Sequence, residues 1–195
     1  MAGEPKSATQ FEIEIAKMMI RRQAPRDVYL EIGGKFGGSL NGFGREMNPG
    51  ATLISVDLPA GSAPKGEEAA ARLRGTVASL KADGYDAHVI FGDSTAPDTI
   101  DAVWQAVGAQ QKVDVLFIDG SHKLLSVAKD AANYVRFVRP GGLVIFHDCG
   151  IRANNRIHPD AGRNMQGIHA VWQDVAYNRR HMLVGEWCGY GLVWK

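Results

Sequence analysis

The residues of this chain that could do chemistry sit in five short stretches. Leu30-Glu31-Ile32 runs into Gly33-Gly34-Lys35-Phe36-Gly37-Gly38-Ser39, and a second apolar run ends at Asp57. Gly92-Asp93-Ser94-Thr95, Phe117-Ile118-Asp119-Gly120-Ser121-His122 and Phe146-His147-Asp148 complete the set. A glycine-rich turn lets a ligand approach the backbone closely. An acid ending the following strand can accept both hydroxyls of a ribose, which is the expected role of Asp57. Glu31, just ahead of the glycine turn, suits a ligand bearing positive charge better than a pyrophosphate. Nicotinamide dinucleotide sites need G-x-G-x-x-G, and Lys35 stands where the second glycine is required. Asp93 has two readings of equal weight, a ligand contact or a cap on the helix that Pro97 opens.

These residues need a frame to converge, and the apolar patterning supplies one. Runs at residues 28–32, 52–57, 88–91, 113–119 and 143–147 read as strands, several of them apolar on successive residues as in a parallel sheet covered on both faces. Between them residues 67–83, 97–107 and 124–138 carry helical spacing, the second with Pro97 at its start and Gly108 past its end. Ahead of them Thr9 and Glu12 form a capping-box pattern before Phe11, Ile15, Met18 and Met19. Strict alternation of strand and helix predicts an α/β, Rossmann-like doubly wound sheet, whose ligands bind beyond the carboxyl ends of the strands. The last third differs. A helix carrying Ile168, Val171, Trp172 and Val175 precedes strand-like runs at 182–187 and 190–194, which predict an antiparallel hairpin added to the parallel sheet. Gly42 and Gly44 make the helix after the glycine turn short or irregular, since each costs about 1 kcal/mol against alanine.

Glu31-Ile-Gly-x-x-x-Gly-Gly-Ser39, Asp57 and Gly92-Asp93-Ser94 resemble the cofactor motifs of class I S-adenosylmethionine-dependent methyltransferases, a seven-stranded fold. The segment from Phe117 to His122, followed by Val127, Asp130, Pro140-Gly141-Gly142 and Phe146-His147-Asp148, resembles methyltransferase family 24. That group includes macrocin-like sugar O-methyltransferases and is related to cephalosporin-hydroxylase-like proteins. The resemblance covers about residues 25–195 and implies S-adenosylmethionine as cofactor. Gly33, Gly37, Gly38 and Ser39 would line its methionine side and Glu31 its ammonium end, with Asp57 on the ribose and Asp93 and Ser94 beside the adenine. It further implies His122 as general base toward a small hydroxylated substrate such as a sugar or glycoside, with Asp119 as a second catalytic residue. Asp119, His147 and Asp148 would hold a divalent metal, Mg or Mn. His147 stands where the metal-dependent sugar enzymes offer an acid, and imidazole suits Mn, Fe or Zn better than Mg. Without a metal, Asp148 would cap the following loop and His147 would pack near the substrate.

Composition narrows the partners. The chain has 195 residues, 22 Lys+Arg against 21 Asp+Glu, and a formal net charge of +1, so nothing favours nucleic acid or an anionic membrane. No apolar run approaches the roughly 20 residues of a membrane helix. Acid and proline in the first ten residues point to a cytoplasmic protein rather than a secreted one. Cys149 and Cys188 match no zinc spacing. The expected organisation is a flexible tail over residues 1–10 and a single domain over 11–195, with a polar loop at 150–166 as the lid candidate and homo-oligomerisation compatible with it. Two other functions fit the sequence: a non-catalytic S-adenosylmethionine-binding protein and, more weakly, an NAD-dependent oxidoreductase.

Overall fold

The computed structural model describes residues 9–59, 66–108, 112–150, 162–185 and 188–195. Helix α1 (Gln10–Arg21) precedes β1 (Val28–Ile32), α2 (Gly38–Gly44), β2 (Thr52–Asp57), α3 (Gly66–Ala82) and β3 (Asp86–Phe91). Then come α4 (Pro97–Val107), β4 (Val113–Ile118), α5 (Leu124–Tyr134) with a 3₁₀ turn (Val135–Phe137), and β5 (Val138–His147). The chain closes with α6 (Gly162–Ala176), β6 (Arg180–Val184) and β7 (Tyr190–Trp194). The seven strands form one sheet in the order β3-β2-β1-β4-β5-β7-β6. The five strands from β3 to β5 run parallel, while β7 pairs antiparallel with both β5 and β6. This is the expected doubly wound sheet with its terminal hairpin.

Both faces of the sheet are covered, which explains the unbroken apolar runs. Side chains alternate along a strand, so Val28, Leu30 and Ile32 pack with α4, α5 and α6 on one face, while Tyr29 faces α1, α2 and α3 on the other. Glu31 shares the parity of Tyr29, and its strand partner is Ser55 of β2. That parity matters for the site.

Three strands begin earlier than the residues predict. β3 begins at Asp86 because Asp86 and Ala87 pair with Thr52 and Leu53. β5 reaches back to Val138, paired with Val113, across an irregularity that holds Pro140-Gly141-Gly142. β6 starts at Arg180, whose guanidinium lies 4.3 Å from the Trp194 ring centroid on the paired strand. The capping box is present: the Glu12 amide donates to Thr9 Oγ1 and the Thr9 amide to Glu12 Oε2. Gln10 is therefore the first helical residue rather than the end of a tail, and residues 1–8 lie outside the described part. Phe11 is 70% exposed, because the buried stripe of α1 runs through Glu12, Ala16, Met19 and Ile20 instead. α2 is short, as its glycines predict. The polar loop lies mostly in residues 151–161, outside the described residues.

Candidate active site

The strand order reverses between β1 and β4, the switch point where a doubly wound sheet leaves a crevice. Main-chain bonds carry the ladder one residue past the strand ends: Gly33 donates to Val56 O, Gly92 to Asp57 O and Asp119 to Ile32 O. The residues that follow β1, β3 and β4 are thus held level with the end of β2 at the rim. A cavity of about 850 Å³ opens there, bordered by Gly33, Asp57, Asp93, Ser94, Asp119, His122, His147 and Asp148 among others. Lys35, Phe36, Gly120, Ser121, Lys123 and Ser126 also line it.

The glycine turn is built for close approach. Gly33 has φ +97°, and a Cβ there would lie 2.2 Å from the Asp119 carbonyl oxygen, so β1 and β4 can converge only on glycine. Gly37 has φ +79°, and a Cβ would lie 2.5 Å from Thr76 Oγ1 of α3. Lys35, at φ 45°, turns its amide onto Asp57 Oδ2, while the Leu58 amide donates to Asp57 Oδ1 at 2.6 Å. Asp57 is thereby oriented, with acceptor capacity left on both oxygens. Nothing in the sequence pattern announces the Lys35 contact.

Glu31, Gly37, Gly38 and Ser39 do not line the cavity. Glu31 is fully buried under α2, where Ser55 Oγ donates to Oε1 at 2.7 Å, Tyr29 Oη to Oε2 at 3.1 Å, and the Ser39 hydroxyl also bonds it. Burial pushes its pKa up to about 7 against the pull of these hydroxyls. It braces the loop from beneath, as its parity with Tyr29 dictates. Asp93 does line the cavity and does not cap α4, whose N-cap is Ala96. Its Oδ1 accepts from the Thr95 amide at 2.8 Å and the Thr95 hydroxyl at 2.9 Å, and these bonds hold its carboxyl below the usual range.

At the other end of the cavity two carboxylates and two imidazoles meet. His122 Nε2 lies 3.0 Å from Asp148 Oδ2, and His147 Nδ1 lies 3.0 Å from Asp119 Oδ1 and 3.3 Å from Asp148 Oδ2. Burial opposes charge on His147, but hydrogen bonds to both carboxylates outweigh it and lift the pKa to about 10. The bond to Asp148 raises His122 as well. Asp148 is buried, which works against ionisation, yet the two imidazoles hold its carboxyl well below the usual range. Asp148 also adopts φ 57° and is met by the Cys188 thiol. Cys188 carried no assignment from sequence, although counting back from the Tyr190–His147 pair brings it to this corner. Among the described residues, Asp119, His122 and Asp148 can bring one ligand atom each within 4.8 Å of one another. His122 thus joins the two acids as a candidate ligand, beside His147, which contacts both of them. Carboxylate and imidazole donors of this kind fit a divalent transition metal better than Mg.

Comparisons with known proteins agree with this frame. A search of curated proteins finds no match. Among solved structures the chain is similar to the O-methyltransferase TomG from Streptomyces achromogenes, involved in tomaymycin synthesis and crystallised with S-adenosylmethionine. The two are 21% identical, with 96% of this chain and 81% of that one covered and a TM-score of 0.66. It is also similar to an O-methyltransferase from Bacillus cereus in complex with S-adenosylhomocysteine. Here identity is 18%, coverage is 98% of this chain and 84% of that one, and the TM-score is 0.68. These likenesses give the fold. The family model of a methyltransferase domain, of family 24, matches residues 30–149, which run from β1 through the glycine turn to the residue after Asp148, and on that match the chain belongs to this methyltransferase family.

Proposed function

We propose that the protein transfers a methyl group from S-adenosylmethionine to a hydroxyl of a small hydroxylated molecule. The observation that carries this reading is the His122–Asp148 pair at 3.0 Å, opening into the same cavity as Asp57, Asp93 and Gly33. The fit to the cofactor rests on charge and shape. A sulfonium and an ammonium are complemented by a rim rich in carboxylates, and Gly33 lets β1 and β4 close up at the mouth of the cavity. Asp57 would accept the ribose hydroxyls, with Asp93 and Ser94 at the base. Glu31 and Ser39 act indirectly, by bracing the glycine turn.

When bound, S-adenosylmethionine supplies an electrophilic methyl carbon. His122, with Nε2 committed to Asp148, takes the acceptor proton at Nδ1. Transfer of that carbon to the acceptor oxygen would leave the carbon–sulfur bonding pair on sulfur as a thioether. His147 balances the charge of Asp119 and Asp148, 3.0 and 3.3 Å away. Because charge is neutralised as the reactants meet, the protein contributes mainly by alignment and exclusion of water.

The cluster of Asp119, His122 and Asp148 favours a second reading, in which these three hold a divalent metal that polarises the acceptor oxygen. His122 would then be a ligand and not a base. Calorimetry with S-adenosylhomocysteine and NAD, followed by methyl-transfer assays on a panel of sugars, glycosides and phenols with and without chelator, tests all of this. Binding of the homocysteine form supports the transferase reading, and preference for NAD overturns it. Activity that survives chelation keeps His122 as base, while loss that Mn²⁺ restores moves it to the metal.

A further inference from the structure

Ser94 lines the cavity, but its position is set from behind. Its hydroxyl donates to Asp130 Oδ1 at 2.6 Å, and its carbonyl accepts from the Tyr134 hydroxyl at 2.7 Å. Asp130 and Tyr134 lie one turn apart on α5, are 1% and 0% exposed, and do not line the cavity themselves. Asp130 also lies behind a second wall, for a Cβ on Gly120 would come 3.7 Å from Asp130 Oδ2. The same helix begins two residues after His122.

Stability gives no reason for a carboxylate in this place. Burying one is costly unless it is well paired, and among the described residues Asp130 has a single hydroxyl donor and no cation. Burial lifts its pKa to about 6 against the Ser94 bond. An apolar side chain of similar size would serve the α5 interface better.

We propose that Asp130 and Tyr134 are positioning residues for the nucleoside end of the cofactor site, fixing the Ser94 loop to the helix that follows His122. The wall that faces the nucleoside then keeps its shape before the cofactor arrives, so its loss weakens binding more than it slows transfer. This inference rests on the cavity being the S-adenosylmethionine site.

The test is calorimetry of S-adenosylhomocysteine on the full chain, with steady-state kinetics on whichever acceptor is found. Asp130→Ala should weaken binding about 10-fold and raise KM for S-adenosylmethionine with little change in kcat, the scale of one hydrogen bond to a charged group. Asp130→Asn, which keeps an acceptor oxygen, should stay within about 3-fold of wild type. Since Asp130 acts through Ser94, the double variant with Ser94→Ala should bind no more weakly than Ser94→Ala alone. Tyr134→Phe removes one hydroxyl with the core ring intact, and should lose affinity even if Asp130→Ala fails to fold. Wild-type affinity in both Asp130→Ala and Tyr134→Phe, or additive losses in the double variant, would overturn the positioning role. Failure of wild type to bind S-adenosylhomocysteine would instead bring down the cofactor reading, and this inference with it.

Discussion

Asp148 holds a left-handed backbone conformation that few residues other than glycine adopt, and its carboxylate meets His122, His147 and Cys188. A base held by such a partner has a signature. His122 sits above its ordinary value of about 6.5, and it must be neutral to accept a proton. Activity should therefore rise with pH along a limb displaced to the alkaline side of an ordinary histidine. Asp148→Asn removes the charge that raises His122, so the limb in kcat/KM should move to lower pH while the plateau falls. His122→Ala should lower kcat by about 10²–10⁴-fold with S-adenosylhomocysteine affinity nearly unchanged, and full turnover in that variant would sink the base assignment. Glu31 makes a prediction about stability. Its folded pKa of about 7 lies above the ordinary 4.5. Stability from this group is complete below about pH 4.5 and is lost as pH rises through about 7, a cost on the order of 3 kcal/mol. Glu31→Gln, compared with wild type by denaturant unfolding, should gain relative stability across that window and hold the gain above it. A difference that does not vary with pH would refute the assignment.

The elements were legible where one physical rule acted alone. β1, β2, α4 and β7 have the boundaries the residues predict, because apolar runs bounded by turn formers leave little choice. β6 was harder, since an edge strand with Arg180 and His181 exposed shows no apolar run until it meets β7. Within the site the acids at or just past the ends of β2, β3, β4 and β5 line the cavity. Glu31 does not, and the reason was in the sequence: with Leu30 and Ile32 facing α4 to α6, period-two alternation sends Glu31 to the opposite face. The grouping of His122 with Asp119 and Asp148 was not legible, because it depends on how the turn after β4 folds back. The glycine turn supplies the prediction at this scale. At Gly33 an added Cβ meets backbone, which no side-chain rotation can relieve, and φ is positive as well. Gly33→Ala should therefore lose several-fold or more in cofactor affinity and destabilise by about 1–3 kcal/mol. At Gly42, inside α2, an added Cβ meets nothing within 4 Å. Gly42→Ala should instead hold or raise stability, since alanine favours a helix by about 1 kcal/mol. Equal unfolding midpoints and affinities for the two variants would contradict the role given to the turn.

For the molecule as a whole, one sheet carries both ends of the proposed reaction, with a layer of helices on each face and a crevice at its switch point. No helix among the described residues is long and apolar enough to cross a membrane. The crevice of about 850 Å³ must hold both the cofactor and the acceptor, within the range of about 300–1,000 Å³ usual for small-molecule sites. A ligand at that switch point touches the ends of β1 to β5 together, so its binding should stabilise the sheet as one unit rather than a single loop. Mass action sets the size of the effect: ligand at 100 times its Kd adds about 2.7 kcal/mol. At about 2–4 °C per kcal/mol for a chain of this length, S-adenosylhomocysteine should raise the melting temperature by about 5–10 °C. NAD at the same concentration should leave it unchanged, because Lys35 interrupts the dinucleotide turn and the carboxylates at the rim repel a pyrophosphate. Gly33→Ala should lose most of the shift while Gly42→Ala keeps it, which separates a ligand seated in the crevice from one adsorbed elsewhere. A rise with NAD matching that with S-adenosylhomocysteine would mean that charge at the rim does not select the cofactor, and the assignment of Asp57 and Asp93 to a cationic nucleoside would fall.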